Sequence, residues 1–198
     1  LGEALDYIYA INPRENLVYF ISNGTLLSRA WGEKLDNRLN YLAISLNAAR
    51  PETYKLDMHP YLYRYTRDSA PKAYRGKRFA EDKKRERPCP FEQTVGRIGD
   101  FMSALGEQSG RRVALHYVVH RDNIDEMPEF VRLAHGLGIT QVHFTHYMMN
   151  RVENMEFSIF FEKDRYNAAI NDAVLLGDEL GVSVMGRRFF AEEDRTFI

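Results

Sequence analysis

Leu17-Val18-Tyr19-Phe20-Ile21-Ser22-Asn23-Gly24-Thr25 is the stretch on which the fold turns. An unbroken apolar run ends abruptly at Ser22, Asn23 and Gly24, residues that favour turns. Such a run, too short for a membrane span, suits a strand covered on both faces, as in a parallel sheet. Past the turn, Ser28 is placed to cap a helix running to about Leu35, with Trp31 and Leu35 on one face. Residues 41–46 then read as the next strand. The whole unit has the length of one strand–helix–strand repeat, about 30 residues.

The same alternation recurs downstream. The spacing predicts a helix over 91–105 and a strand over 113–119. A helix over about 126–137 ends at Gly138 before a strand over 141–144. A last helix over 163–180 ends at Gly181 before a strand over 182–185. Glycine just past a helix end permits the left-handed turn that terminates it. Upstream, Leu1, Leu5 and Ile8 sit at helical spacing, closed by Asn12-Pro13. Helices alternating with strands predict an α/β fold with parallel strands and outer helices. Five strands fall short of a closed eight-stranded barrel, which needs about 250 residues. The expectation is a partial TIM-like (β/α) barrel whose first two strands are missing, forming one domain over 1–198.

Residues 57–90 interrupt the pattern as a charged insertion. Between Arg64 and Arg87 ten basic residues face four acids, Asp68, Glu81, Asp82 and Glu86. Few aliphatic side chains are available to bury, so a long loop is expected. Its aromatics (Tyr61, Tyr63, Tyr65, Tyr74, Phe79) interleave with the basic residues, a pattern shared with nucleic-acid binders. Charge runs are more often solvated surface, and nucleic acid is not the partner expected here.

Composition narrows the class. The chain has 198 residues, 44% hydrophobic and 28% charged, the ordinary balance of a globular domain. A net charge of −1 provides no whole-chain field toward nucleic acid or membrane. No apolar stretch approaches the roughly 20 residues of a membrane span. The first residues carry acids and no bases, unlike a signal peptide, and a cytoplasmic protein is expected. Cys89 is the only cysteine, which rules out an intrachain disulfide and any multi-cysteine metal site built from this chain alone.

Four segments together resemble the radical S-adenosylmethionine (SAM) enzymes. Ile21-Ser22-Asn23-Gly24-Thr25-Leu26-Leu27 is similar to the stretch after the third strand of that family. Residues 41–49, together with Pro51-Glu52-Thr53-Tyr54, resemble its fourth strand and the segment just beyond. The stretch from Val118 through His120, Arg121, Asp122, Asn123 and Pro128 to Phe130 resembles the fifth strand and its helix, and residues 138–144 the sixth strand. The likeness runs from about Leu5 to Met185, apart from the insertion. It implies a cofactor pair, SAM and a 4Fe-4S cluster held by three cysteines of a C-x3-C-x2-C loop. Together these generate a 5′-deoxyadenosyl radical that modifies a peptide, protein or small molecule, with an electron donor as partner. Neither the cysteine loop nor the family's G-G-E-P turn is present, since Glu3 falls inside the first helix. The chain is therefore expected to be a fragment of a longer enzyme, inactive alone. The passage at Gly186-Arg187-Arg188 stands where some members enter an auxiliary-cluster domain.

The resemblance also implies a set of SAM-binding residues. Ser45 matches a position whose hydroxyl contacts the ligand's ribose or carboxylate. Asn47 replaces the more usual Asp; its amide reaches a ribose hydroxyl but brings no charge. Asn23 ends the neighbouring strand, and Arg121 carries a planar fork suited to a carboxylate. Thr145 and His146 come after the sixth strand, where the adenine is lined. Plainer readings stand beside these. Asn23 serves a turn, Ser45 and Asn47 cap their own strand end, and Arg121 pairs with Asp122, Asp125 or Glu126. Asp122 and Asn123 are also helix-cap candidates. A non-catalytic barrel scaffold is the alternative function. A metal-dependent hydrolase using His120 and His146 is a third, weaker one, because no carboxylate sits at a matching strand end. His143 and His146 alternate to opposite faces of a strand. His59, His116 and His135 read as structural or surface residues.

Overall fold

The computed structural model describes residues 2–11, 19–58, 91–148 and 152–188. Most of the charged insertion, with Cys89 and His59, lies outside them. Chain order begins with helix α1 (Gly2–Ile11), strand β1 (Tyr19–Ser22), α2 (Arg29–Leu35), β2 (Tyr41–Ser45) and α3 (Pro51–Met58). After the insertion come α4 (Phe91–Met102), a one-turn helix (Glu107–Gly110) and β3 (Val113–Val119). A 3-10 turn (Ile124–Glu126) leads into α5 (Met127–Gly136), followed by β4 (Gln141–His146). Two further 3-10 turns (Val152–Phe157 and Ile159–Phe161) precede α6 (Lys163–Leu180) and β5 (Ser183–Met185).

Among the described residues five strands pair in parallel, in the order β1-β2-β3-β4-β5. Each strand therefore lies beside its successor in the chain, and the intervening helices make the crossovers that parallel pairing requires. The α/β class and the parallel sheet with flanking helices are as the sequence predicts.

The helix boundaries have local causes. Ser28, in extended backbone, accepts a hydrogen bond from Trp31 N and starts α2. Pro128 occupies the first turn of α5, where its missing N–H costs nothing. Gly181 takes φ +70° and closes α6 through the left-handed conformation that side chains resist. Four described elements escape the sequence reading: α3, the one-turn helix at Glu107 and the two 3-10 turns before α6. All are short or carry weak periodicity.

Alternation sorts the strand residues onto two faces. Toward the helices point the fully buried Leu42, Ile44, Leu115, Tyr117, Val119 and Val142. Tyr117 meets Phe130 of α5 edge-on at 4.5 Å, and Phe144 packs beside both rings. On the other face Tyr19, Tyr41, His116 and His143 touch one another. That face stays open at its flanks, where Ile21 is 82% and Met185 54% exposed. Among the described residues no helix is long and apolar enough to cross a membrane.

Candidate functional site

The carboxyl ends of β1 to β4 bring some of the expected residues together. Ser45 and Asn47 succeed one another on the same face, their side chains 3.5 Å apart. Asn47 Oδ1 accepts a hydrogen bond from Val118 N of β3 at 3.0 Å. Val118 is in register with Thr145 of β4, whose side chain is exposed. Ser45 and Asn47 at the end of β2 and Thr145 on β4 thus form a polar rim, with Val118 of β3 between them. Asn23 lies just past β1 beside them, yet its Oδ1 accepts from both Thr25 N and Thr25 Oγ1, which closes a turn. Gly24 supports that turn at φ +77°.

Two expected residues lie away from the rim. Arg121 pairs with Glu162 at 3.3 Å, a partner none of the sequence alternatives named. His146 turns to the helix side, where its ring meets Tyr166 of α6 edge-on at 4.8 Å and contacts the Arg187 carbonyl. Burial holds its imidazole below the ordinary value and pushes the Tyr166 hydroxyl up to about 12. His143 faces the opposite side of β4, as alternation requires. His120 packs edge-on against Phe157. Among the described residues no cluster of three or more His, Cys, Asp or Glu side chains is arranged around a metal position.

Two residues that shape the rim were missed as such in the sequence. Asn123 is fully buried, and its side chain makes no helix-capping bond. Its Oδ1 accepts from His120 N at 2.7 Å, while Nδ2 donates to Val118 O at 3.0 Å and Asn47 O at 3.1 Å. One amide therefore ties the end of β2 to the end of β3. Glu126, only 5% exposed, accepts from Ala49 N at 2.8 Å and from the Thr53 hydroxyl. It holds the amino-terminal turn of α3 against the loop after β3. Burial pushes its carboxyl above the usual range, against the pull of Thr53 and Ala49.

A third group lies deeper on the open face. Tyr41 Oη stands 2.8 Å from His116 Nε2 and 3.3 Å from His143 Nδ1, with the two imidazole rings 4.5 Å apart. Burial keeps both imidazoles below their ordinary value, the neighbouring ring adding to the effect on His116. Burial raises the Tyr41 phenol. A polar residue recurring at alternate positions of otherwise apolar strands was the available signal. At the opposite end of the sheet is a cleft of about 580 Å³, lined in part by Gly99, Gly106, Gly110, Gly138 and Arg111. Comparison with protein-family models and with curated proteins finds no match to this chain.

Proposed function

We propose that this chain supplies the SAM-cradling side of a partial radical SAM barrel, belonging to a cytoplasmic enzyme that modifies a peptide, protein or small molecule. The observation that carries this reading is the strand order. A parallel sheet in strict chain order has the connectivity of a (β/α) barrel, whereas doubly wound sheets reverse direction partway. The polar rim sits at the carboxyl ends of the strands, the end such folds use for chemistry.

The residues present do not fit a 4Fe-4S cluster. Three thiolates are required and the chain has one cysteine, so the cluster's ligands belong elsewhere in the enzyme. For SAM the donor chemistry fits in part. The Ser45 and Thr145 hydroxyls and the Asn47 Nδ2 amide suit ribose hydroxyls and a carboxylate. Arg121 pairs with Glu162 and His146 packs against the helix layer, so the reading rests on Ser45, Asn47 and Thr145. The same engagement favours the second reading, a binding scaffold without catalysis.

Anaerobic iron–sulfide reconstitution tests the proposal on this chain and on the chain extended upstream in its reading frame. The expected result is cluster absorbance and reductive SAM cleavage by the extended protein alone. In it, Ser45→Ala weakens SAM binding about tenfold, the loss of one good hydrogen bond. An extension without a cysteine triad, and no SAM binding by either protein, overturns the radical assignment and leaves the scaffold.

A further inference from the structure

We propose that Tyr41, His116 and His143 form a binding site for a first-row divalent transition metal, of the copper and zinc type, on the open face of the sheet. His116 and His143 lie level with Ser45 of the rim, one side-chain layer below Asn47 and Thr145, and the site does not depend on the SAM reading.

Three donor atoms from three adjacent strands converge around the Tyr41 hydroxyl, 2.8 and 3.3 Å from the two imidazole nitrogens. A tetrahedral ion with bonds of about 2.0 Å separates its ligand atoms by about 3.3 Å. The longer of the two spacings already has that value, and the shorter needs to open by about half an ångström. Strand register sets His116 and His143 side by side on β3 and β4, and Tyr41, four positions before Ser45 on the same face of β2, reaches them through its side chain. A site borne on strands of a packed sheet is held more rigidly than one on loops.

The atoms that face one another are Tyr41 Oη, His116 Nε2 and His143 Nδ1; the other nitrogen of His143, Nε2, is buried without a hydrogen-bond partner and is not a ligand of this site.

Ligand type agrees with the geometry. Imidazole suits copper, zinc and nickel, and copper binds most tightly among them. Met185 is in register with His143 on the next strand, placing a soft thioether beside the site. The remaining coordination positions face the open side, where solvent or a small anion completes the set.

Titration of the full chain with Zn2+ and with Cu2+, in a Cys89→Ser background that removes the thiol, tests the site. One equivalent of each metal is expected to bind, with a visible phenolate-to-copper band for Cu2+. The double variant H116Q/H143Q is expected to lose that equivalent, while H135Q retains it. Tyr41→Phe keeps the ring packing and removes only the hydroxyl. It is expected to abolish the copper band and to weaken Zn2+ binding by about tenfold, as even loss of an outer-shell partner does. If the double variant fails to fold, Tyr41→Phe decides alone: retention of the band overturns the assignment and its loss supports it. A wild-type chain that binds no metal, or a stoichiometry indifferent to His116 and His143, overturns it as well.

Discussion

Asn123→Asp is the sharpest single test of how the rim is held. The substitution preserves shape and keeps the acceptor that receives His120 N. It replaces the Nδ2 group, which donates to Val118 O and Asn47 O, with an oxygen facing two carbonyl oxygens. In a fully buried position an ionised carboxyl is costly, so the group takes up a proton and returns one of the two bonds. Losing one internal hydrogen bond costs about 1 kcal/mol, and leaving a buried carbonyl unpaired or a buried charge uncompensated brings the total near 3 kcal/mol at neutral pH. The introduced carboxyl has a folded-state pKa above the ordinary value of about 3.9, so its favourable protonated form prevails at low pH. The penalty is largest above the folded pKa and shrinks toward about 1 kcal/mol below the unfolded value. Urea denaturation of wild type and variant across pH 7.5 to 4 reads this as a difference, which removes the background of other groups. Asn123→Ala serves as comparator, with a loss of about 3 kcal/mol that does not vary with pH. A variant within about 0.5 kcal/mol of wild type at pH 7.5, or a penalty that grows in acid, refutes the reasoning.

Further outcomes are expected at three other places. Glu126→Ala leaves Ala49 N–H and the Thr53 hydroxyl without their acceptor and lowers stability by about 2–3 kcal/mol in chemical denaturation. Glu126→Gln stays within about 1 kcal/mol of wild type, because its carbonyl takes the Ala49 N–H and its amide donates to Thr53. Gly24→Ala forces a side chain into φ +77° and sets its Cβ 3.1 Å from Ile98 Cδ1, so thermal unfolding should show a loss of about 2 kcal/mol. The folded-state values of His116 and His143 lie below the ordinary 6.5, so their contribution is complete above that pH and is lost as pH falls through the folded values. Denaturation midpoints from pH 7.5 to 5 should therefore fall less steeply in H116Q/H143Q than in wild type; an unchanged slope contradicts the assignment.

The sequence was informative wherever the cause was local. Ser28, Gly138 and Gly181 marked helix ends because a cap or a left-handed turn is specified by a residue and its near neighbours. The strand over 113–119 and the helix over 163–180 coincide with β3 and α6, whose patterns are long. Asn123 and Glu126 were misread or overlooked because their partners lie 76 and 77 positions away. The Tyr41 cluster joins residues 75 and 102 positions apart, and only the folded sheet brings their side chains together. Arg121 was given three nearby carboxylates to choose from and took Glu162, brought in by the approach to α6.

Chain-ordered pairing has a kinetic consequence. β1 and β2 close over a short segment, whereas the bond from Val118 to Asn47 joins positions 71 apart. A loop about three times longer costs about 1 kcal/mol more to close. The junction of β2 with β3 is thus the slowest contact to form by chain search, and the two sides of the sheet gain structure locally before they meet. Asn123 and Glu126 both bridge that junction. Their bonds form only when the halves have met, so substitutions there should speed unfolding far more than they slow folding.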